Sequence, residues 1–238
     1  MNAVVSGLTE HVASGAWPEG TLLPPEDQLL AEFGVSRPTL REALQHMVAA
    51  GLVQARPRAG TFVLPRNNWN LLEPSVLEAT LRHTTDRRFF DNLMTARMLI
   101  EPAAAAAAAV NGSSRQLSAI AEAFSAMETA EGRESESWIS ADLAFHTAII
   151  EASDNWVFRQ FISAMRAALL AGFQMTNRAS QSKEGAISIH KAVHLAIQAR
   201  DPERAKAAMC EVIRLAMNDM DIAIKDHSTA ARPMPHEA

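Results

Sequence analysis

The chain has 238 residues, 48% hydrophobic and 21% charged, enough apolar side chain to bury a core and too little charge for a disordered chain. Aromatic residues are 5% of the total with no tyrosine, while Ala, Leu and Met are frequent, which disfavours an all-β fold and favours helices. A formal net charge of -5 excludes an overall cationic field, so any contact with nucleic acid must come from a local basic surface.

Cys210 is the single cysteine and cannot close a disulfide within the chain. The first residues lack the basic start and long apolar run of an export signal, and no uncharged apolar run reaches about 18 residues. The expectation is a cytoplasmic protein with no membrane partner. Val4, Val5, Leu8 and Val12 line one face of a first short helix over 3–14, and Leu29, Leu30 and Phe33 line a second over 26–33, ended by Gly34. Ser36 then caps a third helix, with Pro38 tolerated in its first turn and Leu40, Ala43, Leu44 and Met47 facing inward. The β-prone runs 52–56 and 60–64, separated by Pro57, Arg58 and Ala59, form a hairpin. A tight helix-turn-helix followed by a hairpin, all within residues 1–65, describes a winged helix-turn-helix.

Residues 66–72 read as a linker, and 73–226 as almost wholly helical, with breaks at Thr84–Thr85, Asn111–Gly112, Glu131–Gly132, Asp154–Asn155, Gly185 and Asp201–Pro202. Asp86, Ser113, Asn155 and Asp201 are the expected N-caps, and the polar tail 227–238 is expected to be disordered. The fold class is therefore mainly α: an N-terminal winged helix-turn-helix and a C-terminal all-α helical bundle.

Arg37 and Arg41 lie one helical turn apart, opposite Leu40 and Leu44, with Thr39 at the edge of that face. Paired guanidiniums at a helix start suit bidentate contacts to guanine or phosphate, and Arg56, Arg58 and Arg66 on and after the hairpin could touch the DNA backbone. Spacing alone fits a solvated arginine face equally well. Further along, Asp142 and His146 are four residues apart, as are His190 and His194, so each pair points to one side of a helix. Such donors suit a divalent ion such as zinc or nickel, but spacing alone favours hydrogen-bonded packing histidines, because such pairs occur by chance in helix-rich chains. Arg97 can anchor a ligand carboxylate or pair with Glu101 four residues on.

The stretch Leu22–Val63 resembles the DNA-binding domain of GntR-type bacterial transcription regulators, carrying that family's Leu23-Pro24, the turn Gly34 to Arg37, the helix start Thr39 to Ala43 and the wing strand Gly60 to Val63. The resemblance implies DNA contacts by Ser36, Arg37, Thr39 and Arg41, with the wing tip from Arg56 through Arg58 to Gly60 at the minor groove. Asp27 departs from the family, many of whose members have Arg there; a carboxylate repels phosphate.

Residues 73–226 resemble the FCD effector-binding domain of the FadR-like branch, through Arg97 with Glu101, Ala141 to Asn155 and Ile189 to Met209; the linker resembles that of sugar-acid catabolism repressors. This implies an effector site of Arg97, Asp142, His146, His190 and His194, and a metal site of Asp142, His146 and His190. Its fourth ligand position holds Val212, which cannot ligate; either His194 substitutes, or the site is metal-free and its polar groups face the effector directly. The function implied is a non-enzymatic, ligand-responsive transcription regulator, a repressor of a catabolic operon that binds a short palindromic operator in double-stranded DNA as a homodimer and senses a small carboxylate. The alternative is a metal-dependent hydrolase or lyase using Asp142, His146 and His190, although no residue pattern supplies its general base.

Overall fold

A computed structural model describes residues 2–84, 86–130, 135–162, 165–166 and 183–230. It divides into two compact units that meet in sequence at Asp86 and Arg87.

In the first unit, α1 (Asn2–Ala13) buries Val4, Leu8 and Val12, and α2 (Glu26–Phe33) buries Leu29. Pro25 precedes α2 and supplies no side-chain cap, so the acidic Glu26 and Asp27 of the first turn are what complement the helix dipole. Gly34 ends α2 in the left-handed conformation and donates its N–H to the Leu30 carbonyl. In α3 (Arg37–Ala49), Ser36 caps the start, Pro38 sits in the first turn, and Leu40, Ala43 and Met47 enter the core. β1 (Val53–Arg56) and β2 (Gly60–Val63) pair antiparallel, from Val53 opposite Val63 to Arg56 opposite Gly60. Sequence patterning missed a third short pairing: the Leu23 N–H donates to the Thr61 carbonyl at 2.8 Å and the Val63 N–H to the Thr21 carbonyl at 2.9 Å.

The stretch expected to be a linker is part of this unit. A 3-10 turn (Arg66–Asn68) leads to Trp69, which is buried in the core and donates from its indole to the Leu64 carbonyl at 3.0 Å. Asn70 donates to the Ala50 carbonyl at 2.8 Å. α4 (Pro74–His83) follows, adding Val76 and Ala79 to the same core, while Arg82 and His83 both pair with Glu10 of α1. The contact boundary therefore lies at Asp86–Arg87 and not in 66–72, because α4 spends its apolar face on α1.

The second unit contains α5 (Arg87–Asn111), α6 (Ser114–Ala130), α7 (Ser135–Ala152), the single turn α8 (Trp156–Arg159), α9 (Lys183–Gln198) and α10 (Pro202–Ala230). Ser113 accepts from the Gln116 N–H, Asn155 from those of Val157 and Phe158, and Asp201 from that of Arg204, as expected of N-caps. Gly185, where a break was expected, is the third residue of α9, whose start at Lys183 is the edge of the described residues. α10 runs through Ala230, past residue 227 where the tail was expected to begin, and the rest of that stretch, 231–238, lies outside the described residues.

α5 packs on α7, α9 and α10, and α6 on α7 and α9. Ala104, Ala105, Ala108 and Ala109 are fully buried along α5, where small side chains let neighbouring helices approach. By length and composition α5 could cross a membrane, but its buried face also holds Arg97 and Glu101 and is covered by protein. It is the central core helix of this unit.

Gly51, at φ 71, is where the backbone comes closest: a Cβ there would lie 2.2 Å from the Asn68 carbonyl oxygen. Gly20, at φ 78, has nothing within 4 Å of an added Cβ. Gly51→Ala should lower the urea midpoint of the first unit by the equivalent of about 1–3 kcal/mol or more. Gly20→Ala, carrying only the backbone penalty, should lower it less.

Candidate functional site

The start of α3 exposes its arginines. The Ser36 hydroxyl lies 2.9 Å from the Thr39 hydroxyl and caps the helix, and both residues remain at the surface. Arg37 Nη1 donates to Glu26 Oε1 at 3.1 Å and its Nη2 to Asp27 Oδ1 at 2.8 Å, while Arg41 Nε lies 3.9 Å from Glu26 Oε1. On the wing, Arg56 donates to Gln54 and lies over the Phe62 ring, Arg58 occupies the turn at φ 61, and Gly60 opens β2 at φ 98. Arg66, expected to serve the DNA backbone, lies 3.8 Å from Glu19 and over the Trp69 ring, with its side chain still 45% exposed.

In the second unit, α5, α7 and α9 bring five ionisable side chains together: Arg97, Glu101, Asp142, His146 and His190, all buried. Arg97 and Glu101 share a face of α5 by their four-residue spacing, as do Asp142 and His146 on α7. Arg97 Nε donates to Glu101 Oε1 at 2.6 Å. Glu101 Oε2 lies 2.5 Å from His146 Nδ1, and Asp142 Oδ1 lies 3.8 Å from His146 Nε2 and 3.0 Å from His190 Nε2. Arg97 therefore makes the ion pair with Glu101 that its spacing allowed. Glu101, read only as that partner, turns out to be the group that orients His146; the i,i+4 spacing signalled the pair but not the link to α7.

His190 Nδ1 lies 2.6 Å from the Ala186 carbonyl, which can only accept, so this nitrogen carries the proton. In a neutral ring Nε2 then presents a lone pair to the Asp142 carboxylate, an acceptor facing an acceptor. Glu101 Oε2, His146 Nδ1 and His190 Nε2 meet contact distances without the angles of a hydrogen bond, leaving buried polar atoms that a cation would satisfy. With neutral imidazoles the cluster sets one guanidinium against two carboxylates, so one positive charge is wanting. A proton on His146 or a metal ion supplies it.

The titration directions agree. Burial pushes Glu101 up, but Arg97 and His146 outweigh it and hold the carboxyl down at about 2. Burial likewise raises Asp142, and His146 and His190 bring it below the usual range; burial lowers His146, and Glu101 with Asp142 raise it. One donor atom from each of Asp142, His146 and His190 lies within 4.8 Å of the others, a compact set that could hold a metal ion. His194 is not in that set: it is only part-buried, and its ring stacks on Phe124 at 5.1 Å. Val212 is buried in α10 and offers no donor atom.

Comparison with known families matches residues 1–63 to the bacterial regulatory proteins of the gntR family and residues 92–215 to the FCD domain. The Galactonate operon transcriptional repressor of Escherichia coli (strain K12) is 31% identical over 211 residues, covering 88% of this chain and 92% of that protein. The chain belongs to the GntR family and carries an FCD domain.

A second relative of this GntR-family regulator, the HTH-type transcriptional regulator LutR of Bacillus subtilis (strain 168), is 28% identical over 203 residues, 83% of this chain and 90% of that one. The fold recurs in Lar of Listeria monocytogenes, with a TM-score of 0.64 at 18% identity over 93% of this chain and 96% of that one. The GntR-family chain is thus a DNA-binding transcription regulator, a winged helix-turn-helix joined to a helical FCD domain. Its relatives are transcription regulators, and the hydrolase or lyase alternative finds no support among them.

Glu101 is expected to contribute to the acid sensitivity of the FCD unit. Its carboxyl is depressed from 4.5 to about 2, so the stability it contributes is present above pH 4.5 and is lost as the pH falls toward 2. Glu101→Gln should flatten that part of the acid limb in circular-dichroism melts. At neutral pH it should destabilise the unit by about 3–5 kcal/mol, because Arg97 is left buried without its counter-charge.

Proposed function

We propose that this GntR-family regulator represses a catabolic operon, binding a short palindrome as a homodimer and releasing it when a small carboxylate of the sugar-acid class enters the FCD unit. The observation that carries the reading is the buried Arg97–Glu101–His146–Asp142–His190 cluster: a charge-deficient polar site inside a regulator's helical unit suits a ligand that brings its own charge and hydroxyls. The relative named for the galactonate operon supports the sugar-acid class.

Asp142, His146 and His190 would hold a zinc or nickel ion, with the Glu101 carboxylate 2.5 Å from His146 Nδ1 on the other side of that ring. When bound, such an ion supplies positive charge that holds a carboxylate. Arg97 gives its Nε to Glu101 and its Nη1 only the weak acceptor Met94 Sδ at 3.9 Å, and among the described residues its terminal nitrogens meet no carboxylate, so the effector's acid group would be their charged partner. His194, beyond the three donors, is assigned to the effector's hydroxyls from the far turn of α9. The absence of a fourth donor at Val212 makes the metal weaker than in a four-ligand site, and Val212→His should tighten it.

On the DNA side, Ser36, Arg37, Thr39 and Arg41 would face the major groove, with Arg56, Arg58 and Gly60 forming the wing contact. Arg37→Ala or Arg41→Ala should each cost about 1–3 kcal/mol of operator affinity per half-site without changing the melting temperature, as both side chains lie outside the core. Wild-type operator affinity and salt slope in both variants would contradict the assignment. Sedimentation should show a dimer at micromolar concentration, and a monomer with and without operator would overturn that part of the proposal. Calorimetry with zinc and with galactonate should show both weakened in His190→Ala; unchanged binding of both would remove the effector site.

A further inference from the structure

The geometry points to Asp27 as a specificity-determining residue that works through Arg37: by occupying the guanidinium, it suppresses binding to DNA of the wrong sequence. This rests on α3 being the DNA-facing helix. Both terminal nitrogens of Arg37 are engaged, one by Glu26 at 3.1 Å and the other by Asp27 at 2.8 Å, and Glu26 also lies 3.9 Å from Arg41. Two guanidiniums and two carboxylates thus share one patch, which has no net charge to draw it toward phosphate in general. Asp27 is 81% exposed and Arg37 58%, so water and salt screen the pair and little is lost in opening it.

A weak clamp of this kind acts unequally on two kinds of DNA. Non-specific binding depends almost wholly on guanidinium and lysine charge meeting phosphate, and a carboxylate already on Arg37 offsets part of the gain from that one contact. A matched site offers Arg37 two acceptors in a fixed plane, which replace both carboxylate contacts and open the clamp. Discrimination then comes from what the protein holds against the wrong partner as well as from what it offers the right one. The competing explanation, that Asp27 only complements the dipole of α2, predicts no dependence on Arg37.

The test uses the full chain as wild type, Asp27→Asn, Asp27→Glu, Arg37→Ala and the Asp27→Asn/Arg37→Ala double variant. Each is titrated over a range of salt with a random-sequence duplex and with the duplex that wild type enriches most strongly from a random pool. Asp27→Asn should tighten the random duplex about fivefold and steepen its salt dependence by about one phosphate contact per subunit. The enriched duplex should change less, so the ratio of the two affinities falls; Asp27→Glu should keep the wild-type ratio. In the Arg37→Ala background the Asn substitution should no longer tighten the random duplex. Equal tightening of both duplexes, weakening of the enriched one, or an effect that persists without Arg37 would overturn the inference. If Arg37→Ala instead bound both duplexes as wild type does, the DNA-facing reading of α3 would fail and take the inference with it.

Discussion

The Glu101 carboxylate lies between the Arg97 guanidinium and the His146 ring, all three withdrawn from water, and the FCD unit is organised around this contact. An unpaired buried charge costs several kcal/mol, so each member constrains the next. Arg97 needs Glu101, Glu101 turns His146, and His146 with Asp142 leaves room for one more positive charge. The four-residue spacings on α5 and α7 put the groups on facing surfaces, and the alanine run of α5 lets the helices come close enough to join them.

Charge is handled differently in the winged unit. There Arg37, Arg41, Glu26 and Asp27 meet in solvent, where pairing is weak and easily exchanged for a ligand. Buried pairing in one unit builds a site that stays in place without ligand. Exposed pairing in the other leaves the arginines able to change partner. The acidic overall balance is compatible with DNA binding for this reason: what meets DNA is the local arrangement, not the total of -5.

Much of this was legible from residue patterns. The helix-turn-helix followed from Gly34, the Ser36 cap and the apolar spacing of α3, and the wing from two β-prone runs around Pro57; both rest on local rules that tertiary contacts seldom override. The pairs Arg97–Glu101 and Asp142–His146 were visible as i,i+4 spacings. The link from Glu101 to His146 was not, because spacing along one helix says nothing of which helix lies opposite. His194 matched the His190 pattern, yet it is part-buried and stacks on Phe124 one turn away. Gly185 suggested a break, and it falls in the first turn of α9, at the edge of the described residues. The unit boundary was misplaced because the polar stretch 66–72 looks like a linker until Trp69 is seen in the core. Asp27 looked like a lost phosphate contact from the sequence; the structure shows it holding Arg37.

With neutral imidazoles the buried cluster carries one net negative charge, and a divalent ion on Asp142, His146 and His190 would reverse its sign, giving the site the positive charge that the proposed carboxylate effector needs. Native mass spectrometry of the full chain titrated with zinc tests this most directly, with Asp142→Ala as the comparison. The account predicts one ion per chain in the wild type and its loss in Asp142→Ala, which removes the carboxylate shared by both imidazoles. A wild type that takes up no ion at saturating zinc, or an Asp142→Ala chain that retains the same ion, would contradict it.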